Sequence, residues 1–376
     1  MLKTAVVGVR GVGGVHFRAL ASHPRSELVA VADLDTVAAR RLVDEQDHGS
    51  APTVFASLDE MLDGSPRLEA VIIATPHHLH APMSLAALEA GLHVYVEKPI
   101  AIRISDADRM VEAALQRQRV LAVGHQYRTY PGNARLKQLI EADEIGSVQR
   151  IVWQWLDTRP ESYYDRDPWR SSWAHAGGGV LLNQASHDID LLCWLFGPPA
   201  EVSATLMNRG HRHEVEDTAL ATVRFTSGAL ASLQFSTWDR CLNYRQIAGD
   251  IGSIVWQDER DANVLDRPEV FRLGRYPSSL TEIITDANAA VTGRPVPVWE
   301  DVQCEQSPQT SLLDSFIDAA LDGGEPITTG HSARVTTELI CAIILAGVQR
   351  EVVSLPLDRD AFDEVFDNLS HGKKTV

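Results

Sequence analysis

Short apolar runs alternate with helical patterns along the first third of the chain. Residues 4–9, 28–32, 70–75, 93–96 and 120–124 are brief, rich in β-branched side chains and bounded by polar residues or glycine, which predicts strands. Between them, residues 14–22, 36–47, 82–90 and 106–117 carry Ala, Leu, Val and Met at helical spacing. Such alternation requires parallel strands joined by crossover helices, a doubly wound α/β sheet. After Gly124 the texture changes. A helix is predicted at 133–140, a strand at 148–155, an aromatic and polar loop at 157–175, and a strongly apolar helix at 180–196. From 200 to 256 strands follow one another without helices, punctuated by Asn208-Arg209-Gly210, Ser227-Gly228 and Asp250-Ile251-Gly252. That pattern predicts an α+β domain with a mainly antiparallel sheet. Helices return at 310–321 and 333–349, while 258–306 has weak periodicity and no element is assigned there.

A chain of 376 residues exceeds the size at which one core usually stops growing, so two domains are expected, 1–125 and 126–376. With 34 basic against 51 acidic residues, a formal charge of −17, the protein is poorly suited to a nucleic-acid backbone. No apolar run reaches the roughly 18 residues of a membrane span, and the first apolar run is too short for a secretory leader. Cys193, Cys241, Cys304 and Cys341 lie far apart, the pattern of reduced thiols in a cytoplasmic protein rather than of a disulfide framework or zinc site.

The first predicted strand runs into Gly8-Val9-Arg10-Gly11-Val12-Gly13-Gly14 and then a helix. A glycine-rich turn there lets backbone N–H groups approach a pyrophosphate at the helix N-terminus. Arg10 replaces the usual second glycine, and Gly11 beside it can supply the close approach. Asp33 ends the second strand, where a carboxylate can accept hydrogen bonds from the adenosine ribose and repel a 2′-phosphate; its alternative is a helix N-cap, for which Asp35 is equally available. The order strand, turn, helix, acid points to a dinucleotide, and to NAD over NADP.

Three more segments bear chemistry. Thr75-Pro76-His77-His78-Leu79-His80 closes a strand at the edge where doubly wound folds hold ligands. Glu97-Lys98-Pro99 closes another, and a lysine there can stabilise a developing alkoxide. Gly177-Gly178-Gly179 opens the apolar helix bearing Asn183, His187, Asp188 and Asp190. Asn183 and His187 would share a face, and the glycines leave room for something to approach. Histidine is suited to exchanging a proton with a hydroxyl near neutral pH. His187, Asp188 and Asp190 point different ways on a helix, so no metal is expected. Arg159, Tyr163, Tyr164, Trp169, Arg170 and Trp173 crowd the preceding loop, either as a wall for a polyhydroxylated ring or as a loop pinned by its tryptophans.

Together these segments resemble the Gfo/Idh/MocA family, named for glucose–fructose oxidoreductase, inositol dehydrogenase and a rhizopine-catabolism protein. The resemblance covers about the first 255 residues and includes His16, Arg128, Glu216-Asp217, Gly228 and Gly249-Asp250-Ile251-Gly252. It implies a Rossmann domain, an α+β domain with a large open sheet, and NAD(H)-dependent transfer of a hydride to or from a hydroxyl-bearing carbon of a sugar, sugar derivative, nucleotide sugar or cyclitol. Lys98 matches the catalytic lysine and His187 the catalytic histidine. The implied cofactor contacts are Gly8, Arg10, Gly11, Val12, Gly13, Asp33, Thr75, Pro76, His77, His80, Glu97, Lys98 and Gln126. The implied substrate contacts are Asn183, Arg170, Trp169, Tyr164 and Asp188. Asn183 stands where inositol-dehydrogenase-like members usually carry Asp, so its role is hydrogen bonding rather than proton exchange. The resemblance also implies a homodimer or homotetramer built through the open sheet. It leaves two other readings: a non-catalytic NAD-dependent regulator, and a lyase or glycosidase-like enzyme that uses NAD transiently.

Overall fold

A computed structural model describes residues 1–45, 51–65, 67–258, 270–285, 296–304 and 310–372. These residues form two compact units, 1–126 with 172–177 and 310–338, and 127–171 with 178–309 and 339–376.

The first unit carries a six-stranded parallel sheet: β1 (Leu2–Val7), β2 (Ser26–Ala32), β3 (Thr53–Phe55), β4 (Ala70–Ile73), β5 (His93–Val96) and β6 (Leu121–Val123), in the order β3-β2-β1-β4-β5-β6. This doubly wound order reverses between β1 and β4, and such sheets hold ligands beyond the carboxyl ends of strands at that reversal. Val6, Val31, Ile72 and Tyr95 are buried, as strands covered on both faces must be. The unit departs from a break at residue 125. Helix Leu312–Asp322 returns to it and adds Leu312, Leu313, Phe316 and Ile317 to the core containing Leu2, Val6, Phe17 and Tyr95. A polar contact fastens the same helix, from His23 to Asp314 at 3.1 Å, and Arg25 pairs with Asp318 and Asp322.

The second unit holds a nine-stranded mixed sheet among the described residues. Its strands are β7 (Val148–Leu156), β8 (Pro199–Met207), β9 (Thr218–Phe225), β10 (Leu230–Ser236), β11 (Asn243–Gly249), β12 (Gly252–Asp258), β13 (Val270–Arg275), β14 (Val298–Gln303) and β15 (Val353–Ser354). Only β7 and β10 pair in parallel; the other neighbours are antiparallel. Along β9, Ala219, Ala221, Val223 and Phe225 are buried while Leu220, Thr222 and Arg224 face out, the alternation of a sheet with one covered face. β13, β14 and a short helix at Leu280–Thr285 occupy part of the stretch to which no element was assigned; 259–269, 286–295 and 305–309 lie outside the described residues.

The apolar helix predicted over 180–196 is two helices, Val180–Asn183 and Ser186–Phe196. The Val180 carbonyl accepts the N–H groups of both Gln184 and Ala185, which widens the turn and interrupts the helical face between Asn183 and His187. Helix Gly330–Gln349 has the length and hydropathy of a membrane span, but Leu339 through Ala346 are all buried in the second unit, as in a core helix.

Candidate active site

In the first unit, the turn after β1 is built for close backbone approach. Gly8 has φ +84° and Gly11 φ +55°, conformations that favour glycine, and a Cβ on Gly13 would lie 1.8 Å from the Gly8 carbonyl oxygen. Helix Val12–Ser22 follows with no side-chain cap and no acid in its first turn, while Arg10, Gly11 and Val12 are exposed. The positive end of the helix dipole thus meets no side-chain cap or acid, which suits a pyrophosphate. Asp33 accepts the N–H of Val9 at 2.9 Å on one oxygen and that of Asp35 at 2.8 Å on the other. It therefore braces the turn, and each oxygen keeps a lone pair for a ribose hydroxyl. Asp35 is the helix cap, accepting from Ala38, and pairs with exposed Arg10 at 2.6 Å. These residues fit a dinucleotide.

Beyond β4 and β5 the side chains lock two loops together. His80 is completely buried, with Nδ1 2.7 Å from the Pro99 carbonyl oxygen and Nε2 2.8 Å from that of Thr75. Burial holds its pKa below the usual histidine range. Both ring nitrogens of His80, expected at the cofactor, face backbone oxygens, so it ties the Thr75-Pro76 turn to the Lys98-Pro99 turn. His77 is also buried and places Nδ1 2.9 Å from the Ala176 carbonyl oxygen. Glu97 contacts His16 Nε2 at 2.7 Å and accepts the Lys98 N–H. Burial raises its pKa, but the hydrogen bond and charge of His16, with the Lys98 charge, outweigh burial and hold the carboxylate low. Gly124 makes room for this carboxylate, since a Cβ there would sit 2.8 Å from it. Thr75, Glu97 and Lys98 stay partly accessible, and Gln126 is exposed.

In the second unit, His187 is buried and stacks on Tyr127, with ring centroids 4.6 Å apart and planes 21° from parallel. Tyr127 was not anticipated; its position three residues after Gly124 gives no periodic signal. Burial pushes its phenol well above the ordinary tyrosine value. Asn183 accepts from Arg170 at 3.2 Å and donates to the Gly178 carbonyl at 3.1 Å, which fixes its amide. Arg170 lies over the rings of Trp169 (4.3 Å) and Tyr163 (5.1 Å), and all three are partly exposed.

Two of the residues assigned to substrate are held by internal partners. Asp188 is 1% exposed, and its carboxylate accepts from Trp153 Nε1 at 2.8 Å and Arg245 at 3.0 Å, so it anchors the helix to β7 and β11. Burial raises its pKa despite the Arg245 charge. Tyr164 is 3% exposed, bonds Thr237, and packs on His211 and His213, so it supports the loop instead of lining it. Asp190 forms a buried two-pronged pair with Arg128, at 2.6 and 2.7 Å. Asp188 and Asp190 thus point to different arginines, as helical positions two apart, on different faces, require. The glycine run has a structural reason that the sequence did not reveal. A Cβ on Gly179 would meet the Glu216 carbonyl oxygen at 1.7 Å, and one on Gly177, at φ +82°, would meet Ile102. Glu216 is fully buried, and burial pushes its carboxyl up to about 7 against the hydrogen bonds from Gly179 and Leu181.

Residues 2–125 match the oxidoreductase family with an NAD-binding Rossmann fold, and 133–255 match the GFO/IDH/MocA C-terminal domain. The solved WlbA dehydrogenase of Chromobacterium violaceum, in complex with NADH and UDP-GlcNAcA, is 30% identical, with a TM-score of 0.77 over 95% of this chain and 96% of that one. The chain belongs to the Gfo/Idh/MocA family of NAD-binding oxidoreductases. Relatives include the 1-carboxy-3-chloro-3,4-dihydroxycyclohexa-1,5-diene dehydrogenase of Comamonas testosteroni, 27% identical over 93% of this chain and 96% of its own length. The myo-inositol 2-dehydrogenase of Thermotoga maritima is 25% identical over 78% and 90%. Family membership makes the domain that carries the turn after β1 an NAD-binding Rossmann domain, where backbone geometry alone said only dinucleotide.

Proposed function

We propose that this family member is an NAD-dependent dehydrogenase or reductase acting on a CH–OH group of a sugar, sugar derivative, nucleotide sugar or cyclitol. The observation that carries the reading is the Asn183–Arg170–Trp169 group. It joins a fixed amide, a guanidinium and an aromatic face, the donors and apolar surface that a polyhydroxylated ring needs. NAD, when bound, supplies the hydride acceptor or donor. The chain's own residues do the rest. Gly8, Gly11, Gly13 and the helix N-terminus hold the pyrophosphate, and Asp33 takes the adenosine ribose. Lys98 stabilises the oxygen as alkoxide character develops. His187, oriented by its stack on Tyr127, takes the hydroxyl proton in oxidation and returns it in reduction. Asn183 orients substrate without exchanging a proton.

The test is a screen of sugars, inositols, glycosides and nucleotide sugars for reduction of NAD, followed by absorbance. Net NADH formation supports the reading. Turnover without net NADH would assign a lyase or glycosidase-like reaction, and no turnover at all a regulator. The outward face of β8, β9 and β10, where Met207, Leu220 and Leu230 are about half exposed, supports assembly into a homodimer or homotetramer. A monomer mass by light scattering at micromolar concentration would refute that assembly.

A further inference from the structure

We propose that the adjacent acids Glu216 and Asp217 form a two-armed clamp that positions the substrate side of the reaction, Glu216 holding the segment that leads to Asn183 and His187, and Asp217 holding the Arg159–Arg170 loop through His211. The inference rests on the reading above for what the held segments do; the clamp itself is geometry within the second unit.

Glu216 grips three consecutive residues. Its Oε2 accepts the Gly179 N–H at 2.8 Å, its Oε1 the Leu181 N–H at 3.1 Å, and its own carbonyl the Val180 N–H at 2.9 Å. These are donors that the start of a four-residue helix would otherwise leave unsatisfied. The approach is close enough that only glycine fits at 179, so Gly179 and the acid are one device. Asn183 closes this short helix, hydrogen bonds back to Gly178, and is followed by His187 one widened turn later. The position of both polar side chains is therefore set by where Glu216 holds the backbone.

Asp217 faces the other way. Its carboxylate accepts the N–H of Arg209 at 2.9 Å and of Gly210 at 3.2 Å, the Thr218 hydroxyl at 2.9 Å, and His211 Nδ1 at 3.1 Å. The remaining nitrogen of His211 lies 2.8 Å from the Arg159 carbonyl oxygen. His211 thus bridges the Asp217 carboxylate and the Arg159 backbone. Arg159 is held on its other side as well, its N–H donating to the Thr237 carbonyl at 2.9 Å. Its guanidinium lies over Trp155 and Tyr163, and Tyr163 in turn lies under Arg170. One dipeptide thus fixes two walls by different routes, and the arms are separable by mutation.

The test uses full-length Glu216→Gln and His211→Gln, with Asp217→Asn as a second probe of the same arm should His211→Gln fold poorly. For Glu216→Gln, kcat falls about tenfold or more while substrate KM stays within about threefold. For His211→Gln, KM rises about tenfold with kcat nearly kept. NADH affinity, by fluorescence titration, is unchanged in both. Hydrogen exchange adds a readout that needs no turnover. Glu216→Gln speeds exchange at 179–181 and leaves 209–210 protected, whereas His211→Gln loosens peptide 157–171 and leaves 179–181 alone. Loss of kcat and KM control together in both variants, or exchange that rises across both segments whichever arm is cut, would overturn the clamp. Absence of turnover by the wild-type protein would overturn only the functional reading, and the exchange pattern would still decide the clamp.

Discussion

Gly13 and Gly179 face the same steric limit: a Cβ would come within 1.8 Å of a carbonyl oxygen at the first and 1.7 Å at the second. Their surroundings use that closeness in opposite ways. Around Gly13 the backbone is folded tightly and the helix that follows has no side-chain cap, which leaves its positive end for an anion. Around Gly179 the N–H groups are consumed internally by Glu216, and it is side chains further along that remain for chemistry. The cofactor is recognised by a backbone, whose shape is encoded in a few adjacent residues. The proposed substrate side is a set of side chains oriented by partners from other elements, such as Tyr127 under His187 and Arg170 beside Asn183.

Removing the chemistry should give the largest effect. Lys98→Ala and His187→Ala should each lower kcat by about two to four orders of magnitude, with NAD affinity retained because neither belongs to the phosphate turn. Retained turnover in His187→Ala with loss in Lys98→Ala would make Lys98 the base. The two glycines sharpen the contrast directly. Gly13→Ala should weaken NAD binding by at least about a hundredfold in a titration, with little loss of stability in the second unit. Gly179→Ala should leave the affinity in place and lower the melting temperature instead. Next in size is the Arg128–Asp190 pair. Arg128→Ala leaves a buried carboxylate unpaired and should cost about 3–5 kcal/mol in denaturant unfolding, while Arg128→Lys recovers only part because one prong is lost. Asp33→Asn should narrow the NAD over NADP preference in kcat/KM by about tenfold, since the charge that repels a 2′-phosphate is gone. The smallest effect is a pH dependence. The Glu216 carboxyl is raised to about 7, so its contribution to stability is fully present below the unfolded value and is lost as pH rises through about 7. Wild type should therefore lose stability relative to Glu216→Gln between about pH 5 and pH 8, by on the order of 1–3 kcal/mol in paired melting curves. A flat difference would mean that the acid is already charged throughout.

The same contrast explains what could be read from the sequence. The doubly wound order and the turn after β1 were legible, since β1, the glycines and Asp33 fall within about 30 residues and obey local rules. Thr53–Phe55 was missed because three residues give no period, and helix Leu58–Gly64 was missed although Ser57 caps it, accepting from Glu60. Asn183, His187, Arg170 and Trp169 were named from the residue types, but their partners were not. Tyr127 under His187 and Arg245 beside Asp188 come from distant elements. Asp188 and Tyr164 were assigned to substrate because acids and aromatics near a candidate catalytic histidine look available. What a linear pattern cannot carry is which way each side chain turns once a sheet lies beneath it. The break at Gln184–Ala185 was hidden for a related reason: apolar residues on every side of 180–196 suit one helix or two equally well.

The return of helix Leu312–Asp322 to the first sheet has a consequence for biosynthesis. Leu313, Phe316 and Ile317 complete a core begun by Leu2 and Val6, residues made more than 300 positions earlier. As the chain leaves the ribosome, the nucleotide-binding sheet can form its strand order but must wait, with part of its apolar surface bare, until nearly the whole polypeptide has been translated. The second unit waits longer still, since the buried residues Leu339 to Ala346 and strand β15 belong to it. Each half therefore completes its core with a segment made after both sheets have been begun, and bare apolar surface on both is open to a chaperone until then.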